Sequence, residues 1–342
     1  MRKTPFFILC IILTLAFCGV FFIAKPSGGE QAVKTEKQYI ELWHVDMFEG
    51  GTGSRASFLN GISKEFEKLS GICVTVKTQT PLSVSELFRK GIFPDAISFA
   101  NGMELPYAML RKVHKKPYEY AVPWCMGGYV AISRMGETVN RVVIAEQKNT
   151  LASLAVRFSS VDNEFLKSAG LKNCEKVPSN NAVYELYNDK HVMLIGTQRD
   201  LYRLENKGLD LEITPLGGFN DLYQYYSILS ADDKNAVAAA KFCEYLLSEK
   251  VQSRLSRIGM LSAFFETGDM PIAALSGVKH DYCTYPLTDN DRLSKLRSLA
   301  ENGADDDEIK GLLMRLAADD RDRTQSPVAK SRINRYIDTK EL

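Results

Sequence analysis

Histidine is scarce, the cysteines are scattered, and neither sign of charge prevails. Four histidines occur in 342 residues, at positions 44, 114, 191 and 280, with no H-x3-H or HExxH spacing. The sequence therefore offers no histidine-based metal centre. The acidic stretches "GADDDEIKG" and "AADDRDR" lack the alternating ligands and mid-loop glycine of a calcium loop, and read as helix starts and solvated faces. Beyond the first 24 residues the cysteines are Cys73, Cys125, Cys174, Cys243 and Cys283, odd in number and without a CxxC pair. This speaks against a disulfide framework or a structural zinc site and leaves them as small buried apolar residues. With 43 basic against 42 acidic residues the formal charge is +1. That balance lacks the clustered basic excess a nucleic-acid surface needs. Internal repeats and long low-complexity tracts are also missing.

What is present suits two globular domains or one large two-lobed unit: 45% of the residues are hydrophobic and 25% charged. Long uncharged apolar sequence occurs only near the N-terminus. Arg2 and Lys3 precede an apolar run over residues 6–24, which spans most of a ~30 Å hydrocarbon core as a helix. Positive charge before it places the rest of the chain outside the cytoplasm. An uncleaved anchor is the favoured reading, over cleavage near Ala24 or lipidation at Cys18. The "LAFC" box carries Phe17 where lipidation wants a small residue. Residues 25–37, with Pro26, Ser27, Gly28 and Gly29, read as a tether.

The body alternates strands and helices. "YIELWHV" is a strand, and residues 54–71 are a helix with Phe58, Ile62, Phe66 and Leu69 on one face and Gly71 as its stop. Strands at 72–78 and 95–100 flank a short helix at 83–90, which makes a βαβαβ unit with parallel strands. Extended segments at 121–124 and 129–133 lead into a smaller mixed region over 136–188. A second strand–helix–strand unit covers 191–218, and 225–230 is extended. A helix over 234–247 continues to Gly259 through a break near Ser248. Residues 305–318 form a helix with Ile309, Leu312, Leu313 and Leu316 on one face. Ligands of open parallel sheets bind outside the carboxyl ends of the strands, so two such lobes facing one another make a cleft.

Between the first strand and helix lies "HVDMFEGGTGSRAS". A phosphate loop would need lysine then Ser or Thr after its last glycine, where Ser54 and Arg55 stand, and the third glycine of the dinucleotide fingerprint is also missing. The glycines allow a tight turn and Ser54 is placed to cap the helix. Asp46 and Glu49, with exposed backbone N–H groups around Gly50, sit where a ligand at the strand end would meet them.

Four blocks resemble one family. They are residues 39–78, "FPDAISFANG", "YAVPWCMGGYVAISR", and the pair "YNDKHVMLIGTQRDLYRLENKGLDLEITPLGG" with "AAAKFCEYLLSEKVQSRLSRIGMLSAF". In this order they resemble the extracellular solute-binding proteins of ATP-driven (ABC) importers, of the sugar-binding class related to maltose-binding protein. The likeness runs from Tyr39 to Phe264 and ends there; the following sequence holds Tyr282 and Tyr285 and then mostly charge.

The resemblance implies an α/β, two-lobed periplasmic-binding-protein-like fold of type II. It divides the chain into lobe I at 38–132 and 227–290, lobe II at 133–226, and a C-terminal helical segment at 291–342. The hinge strands it implies are residues 121–133 and 225–230. It further implies hinge closure on a solute, delivery to permease subunits at the outer face of the membrane, a monomer, and no cofactor. Sugars stack on flat rings, so Phe48, Phe99, Trp124, Tyr223 and Tyr225 are candidates for the cleft, whereas Trp43, inside its strand, is core. Asn101 matches a polar ligand-contacting position of the family. Gln198 and Arg199 open a helix after "LIGT". Arg55 and Arg199 keep an anionic ligand open. Two alternatives stand beside transport: a ligand sensor for a membrane signalling partner, and a cleft enzyme with Cys125 as nucleophile and His114 as base.

Overall fold

The computed structural model describes residues 37–47, 54–115, 118–146, 151–159, 174–205, 207–266, 272–284, 286 and 290–325. The apolar run at 6–24, nearly all of the tether, and Phe48, Glu49, Gly50 and Tyr285 lie outside them. Among the described residues no helix is long and apolar enough to cross a membrane.

The first unit folds as its pattern dictates. β1 (Tyr39–Val45) is buried on both faces, as a central strand must be. The Ser54 hydroxyl accepts from the Ser57 N–H at 3.2 Å and starts α1 (Arg55–Ser70), a cap that contributes about 1 kcal/mol. Gly71, at φ 75°, ends the helix in the left-handed region that favours glycine. Leu59, Ile62 and Phe66 of α1 are buried, each contributing about 1.5–3 kcal/mol. β2 (Cys73–Gln79), α2 (Pro81–Arg89) and β3 (Ala96–Ala100) complete the βαβαβ unit, with β1 parallel to both other strands. β4 (Val122–Met126) then leads through Gly127 and Gly128 into β5 (Tyr129–Arg134).

The smaller region supplies β6 (Arg141–Glu146), α3 (Ala152–Arg157), β7 (Glu175–Pro178) and α4 (Ser179–Asn188). β8 (Val192–Thr197), α5 (Gln198–Glu205) and β9 (Leu211–Leu216) follow, then the short β10 (Phe219–Asn220), β11 (Tyr223–Ile228), α6 (Asp233–Leu246) and α7 (Glu249–Gln252). β12 (Tyr282–Cys283), α8 (Asn290–Glu301) and α9 (Asp306–Gln325) come next.

Two five-stranded sheets result, ordered β2-β1-β3-β11-β4 and β7-β6-β8-β5-β9, with β10 and β12 paired separately. β11 runs antiparallel to β3 and β4 along its length, and β5 pairs with β8 and β9. The chain therefore crosses between sheets at Gly127–Gly128 and again between β9 and β11. The expected boundaries at 132/133 and 226/227 fall inside β5 and β11, and residues 225–228 belong wholly to the first sheet rather than to a crossing. Periodicity marks a strand but not the sheet it joins, which accounts for the shift.

The described residues from Gln38 onward form a single compact unit. One core lies between α1, α6 and the first sheet and continues through α3, α8 and α9 onto one face of the second sheet. α4 and α5 cover the opposite face of the second sheet, and α2 covers the opposite face of the first.

Candidate functional site

The carboxyl ends of the parallel strands β1 and β3 bring Asp46, Met47, Asn101 and Gly102 to one edge of the first sheet. Antiparallel pairing puts the start of β11 and the end of β4 at that edge too. In the second sheet, Thr197 at the end of β8 and Leu216 at the end of β9 flank Tyr129, the first residue of β5. Since β4 and β5 are joined by only two glycines, these edges face each other.

Asp221, in the second crossing, ties the edges together. Its Oδ1 accepts from the Tyr129 hydroxyl at 2.6 Å and its Oδ2 from the Leu151 N–H at 3.1 Å. The Asn101 amide donates to the Asp221 carbonyl at 2.7 Å and to the Thr284 hydroxyl. Burial pushes the Asp221 carboxyl up to about 6; its hydrogen bonds and the Arg297 guanidinium oppose that rise. The first crossing is equally braced. The Gly128 N–H donates to Gln198 Oε1 at 2.9 Å, and the Gln198 N–H returns a bond to the Gly128 carbonyl at 3.0 Å. Gly127 lies so close to the Gln198 amide that an added Cβ would stand 2.6 Å from it. Asn220 donates to the Gly127 carbonyl at 3.0 Å.

Met47, Asn101, Gly102, Leu151, Leu293 and Arg297 line a cavity of about 30 Å3 at this junction, space for a water molecule. Asn101 Oδ1 is buried beside it without a hydrogen-bond partner. Here α8 lies over the strand ends, with Leu293, Leu296 and Ala300 buried.

Asp46 is exposed and pairs with Arg55 at 3.0 Å, while the Arg55 side chain itself is buried. Arg55 thus points inward, toward His44, rather than into solvent. Asn101 is at the junction. Gln198 is fully buried at the crossing, and Arg199 is half-buried at the start of α5, its guanidinium lowered by burial and by Arg203. Tyr223 stands at the start of β11, half-buried, 5.9 Å from Tyr225 by ring centroid. Trp43 is in the core, as expected of a residue inside its strand.

Phe99, Trp124 and Tyr225 are buried within the sheet faces. Phe99 and Tyr225 pack together with Trp43 on the α2 side, whereas Trp124 stacks on Phe58 of α1 on the other side. Alternation along the strands places Phe99 and Trp124 on opposite faces of one sheet, so they do not share one surface. Trp124 Nε1 and the Gln224 amide both donate to Ser98 Oγ at 3.0 Å. With its oxygen so used, the Ser98 hydroxyl donates to His44 Nδ1, 3.1 Å away. Burial first, and Arg55 second, hold His44 down to about 4, so it is neutral.

Sequence reasoning missed Asp221, Tyr129, Leu151, Thr284 and the α8 residues. Asp221 left one signal, a carboxylate inside the otherwise uncharged "GGFNDLYQYYSIL". The Cys125–His114 reading lacks support in this geometry. Cys125 is fully buried with its thiol pushed up to about 12, while His114 is at the surface beside Phe264. None of the five described cysteines is in a disulfide. Among the described residues no group of three or more His, Cys, Asp or Glu is placed to hold a metal.

No family model and no curated protein sequence matches the chain. Among solved structures it is similar to the maltose/maltodextrin-binding domain MalE from Bdellovibrio bacteriovorus bound to maltotriose. That match has 13% identity, covers 87% of this chain and 100% of the other, and gives a TM-score of 0.50. Iron-bound HitA from Pseudomonas aeruginosa matches at 14% identity over 77% of this chain and 99% of its own, with a TM-score of 0.49. The fold is that of the two-lobed, type II periplasmic binding proteins, one lobe built on each five-stranded sheet.

Proposed function

We propose that this protein is an extracytoplasmic solute-binding protein of an ABC importer, whose lobes close on a small solute and present it to the permease subunits. The observation that carries this reading is the opposition of the two sheet edges across paired crossings. Asp46 and Asn101 stand at the first of these edges and Asp221 in the second crossing, and a molecule bound between the edges would touch both lobes. Binding would then shift an open–closed population, because only the closed form makes all the contacts.

A carbohydrate is the preferred solute class. Carboxylate and amide groups suit sugar hydroxyls, Tyr223 offers a partly accessible ring at the edge, and the fold is shared with a maltodextrin-binding domain. Phe48, Glu49 and Gly50 belong to the same proposed rim, with Arg199 on the opposite lobe. The protein would act as a monomer at the outer face of the membrane, held there by residues 6–24. A thermal-shift screen of the full chain, beginning with maltotriose, tests the reading. Ligand linkage raises the midpoint for one solute class; a flat response to sugars, peptides and polyamines alike would count against it.

A further inference from the structure

The position between the sheet edges is taken by the protein's own chain. α8 places Leu293 against the end of the first sheet: its Cδ1 is 3.1 Å from where a Cβ on Gly102 would stand, with Met47 Cε beside it at 3.9 Å. On the same helix Arg297 approaches Asp221, and Leu296 and Ala300 are buried in the core shared with α3. The other side of the helix pair is pinned to the second lobe. Lys176 of β7 binds Glu301 at 2.5 Å, and Arg157 of α3 binds both the Asp306 carboxylate and the Ala304 carbonyl. α9 adds Ile309, Leu312, Leu313 and Leu316 to the same core, and also touches the turn Tyr107–Met109 of the first lobe.

We propose that α8 and α9 form an intramolecular latch. α8 holds the lobes together without solute by filling the interlobe junction, and it must withdraw before a solute can enter. Three features favour a latch over a fixed wall. The contacts of α8 divide between the lobes, so lobe separation breaks one set or the other. The polar ties of the helix pair to the second lobe are ion pairs with side chains partly open to solvent, which are individually weak. The space left beneath it holds only a water. The holding role stands without the solute-binding reading; the gating role rests on it. A protein whose competent state is a minor population binds with an affinity reduced by that fraction.

The test uses the full chain in solution. Leu296→Asp puts a charge into the buried face of α8. Arg157→Glu combined with Lys176→Glu unpins the helices without touching the core, and adding Asp306→Arg and Glu301→Arg restores the pairs. With far-UV circular dichroism unchanged, the unpinned chain should show a radius of gyration above that of the native chain, for which a compact fold of this length implies roughly 20 Å. Amide exchange across residues 290–301 should accelerate at least about tenfold, and the restored pairs should reverse both effects. Should Leu296→Asp fail to fold, the charge variants carry the test. Unchanged scattering and exchange in the folded unpinned chain overturn the latch. Maltotriose titration then separates the two readings. The opened chain should bind at least about tenfold more tightly than the native one. Opening without any gain for a sugar that the native chain also binds overturns the gating role. Opening with no sugar bound by either chain leaves the latch standing and counts against the transport reading.

Discussion

The Tyr129 hydroxyl donates to Asp221 Oδ1 at 2.6 Å, joining the first residue of β5 in the second lobe to the segment that re-enters the first lobe. Neither residue is within ninety positions of the other in sequence, so the bond forms only after both sheets have paired. It keeps a carboxylate buried at the place where lobe movement would be felt.

Asp221 is the first test of that arrangement. Its folded value, about 6 against an ordinary 3.8, means the native state holds the proton more tightly than the unfolded chain. The stability it contributes is therefore full below about 3.8 and lost as pH rises through about 6, by up to roughly 3 kcal/mol. Asp221→Asn should remove that component. The difference in urea midpoint between variant and native protein, measured from pH 4 to 7, should shift in the variant's favour as pH rises. A constant difference would contradict the buried carboxylate.

His44 has the opposite sign. Its folded value is depressed to about 4 from 6.5, so it contributes stability above about 6.5 that is lost as pH falls through about 4, again up to roughly 3 kcal/mol. His44→Gln should flatten the acid limb of the stability profile over that window. An unaltered acid limb would mean that His44 is not held neutral.

Trp124 distinguishes core from cleft. Trp124→Phe removes the bond to Ser98 and leaves a small cavity under Phe58, which should cost about 1–3 kcal/mol. Solute affinity in the folded variant should match that of the native protein. A selective loss of sugar binding at unchanged stability would return Trp124 to the cleft.

Gly218 has φ 88°, and a Cβ there would stand 1.8 Å from the Phe158 carbonyl oxygen. Gly218→Ala should destabilise the chain by at least about 2 kcal/mol, visible as a lower midpoint of thermal unfolding. A midpoint within error of native would show that the second crossing relaxes freely.

Cys125 and Cys243 are fully buried, with their thiols raised by burial. Mass-mapped alkylation of the native protein should label Cys73, Cys174 and Cys283 first, and reach Cys125 only on unfolding. Rapid native labelling of Cys125 would reopen the enzymatic alternative.

Much of the first lobe was legible because its signals are local. Ser54 caps and Gly71 stops α1 through bonds to residues three or four positions away. The apolar spacing of 309, 312, 313 and 316 marks a helix face wherever that helix docks. Aromatic residues were less legible. Phe99 and Trp124 look alike in sequence, as large rings near strand ends, yet alternation and the covering helices put each in a different core.

By itself, then, the sequence determined the βαβαβ start, the cap and stop of its first helix and the clearly amphipathic helices, since these rest on propensity, periodicity and hydrogen bonds within a few residues. Tertiary structure alone decided which sheet β5 and β11 join, that Asp221 lies buried within reach of the Arg297 charge, and that α8 rests on the strand ends. Those outcomes come from packing between segments far apart in the chain. An amphipathic helix carries its apolar face in its sequence, but the surface that buries that face exists only once both lobes have formed.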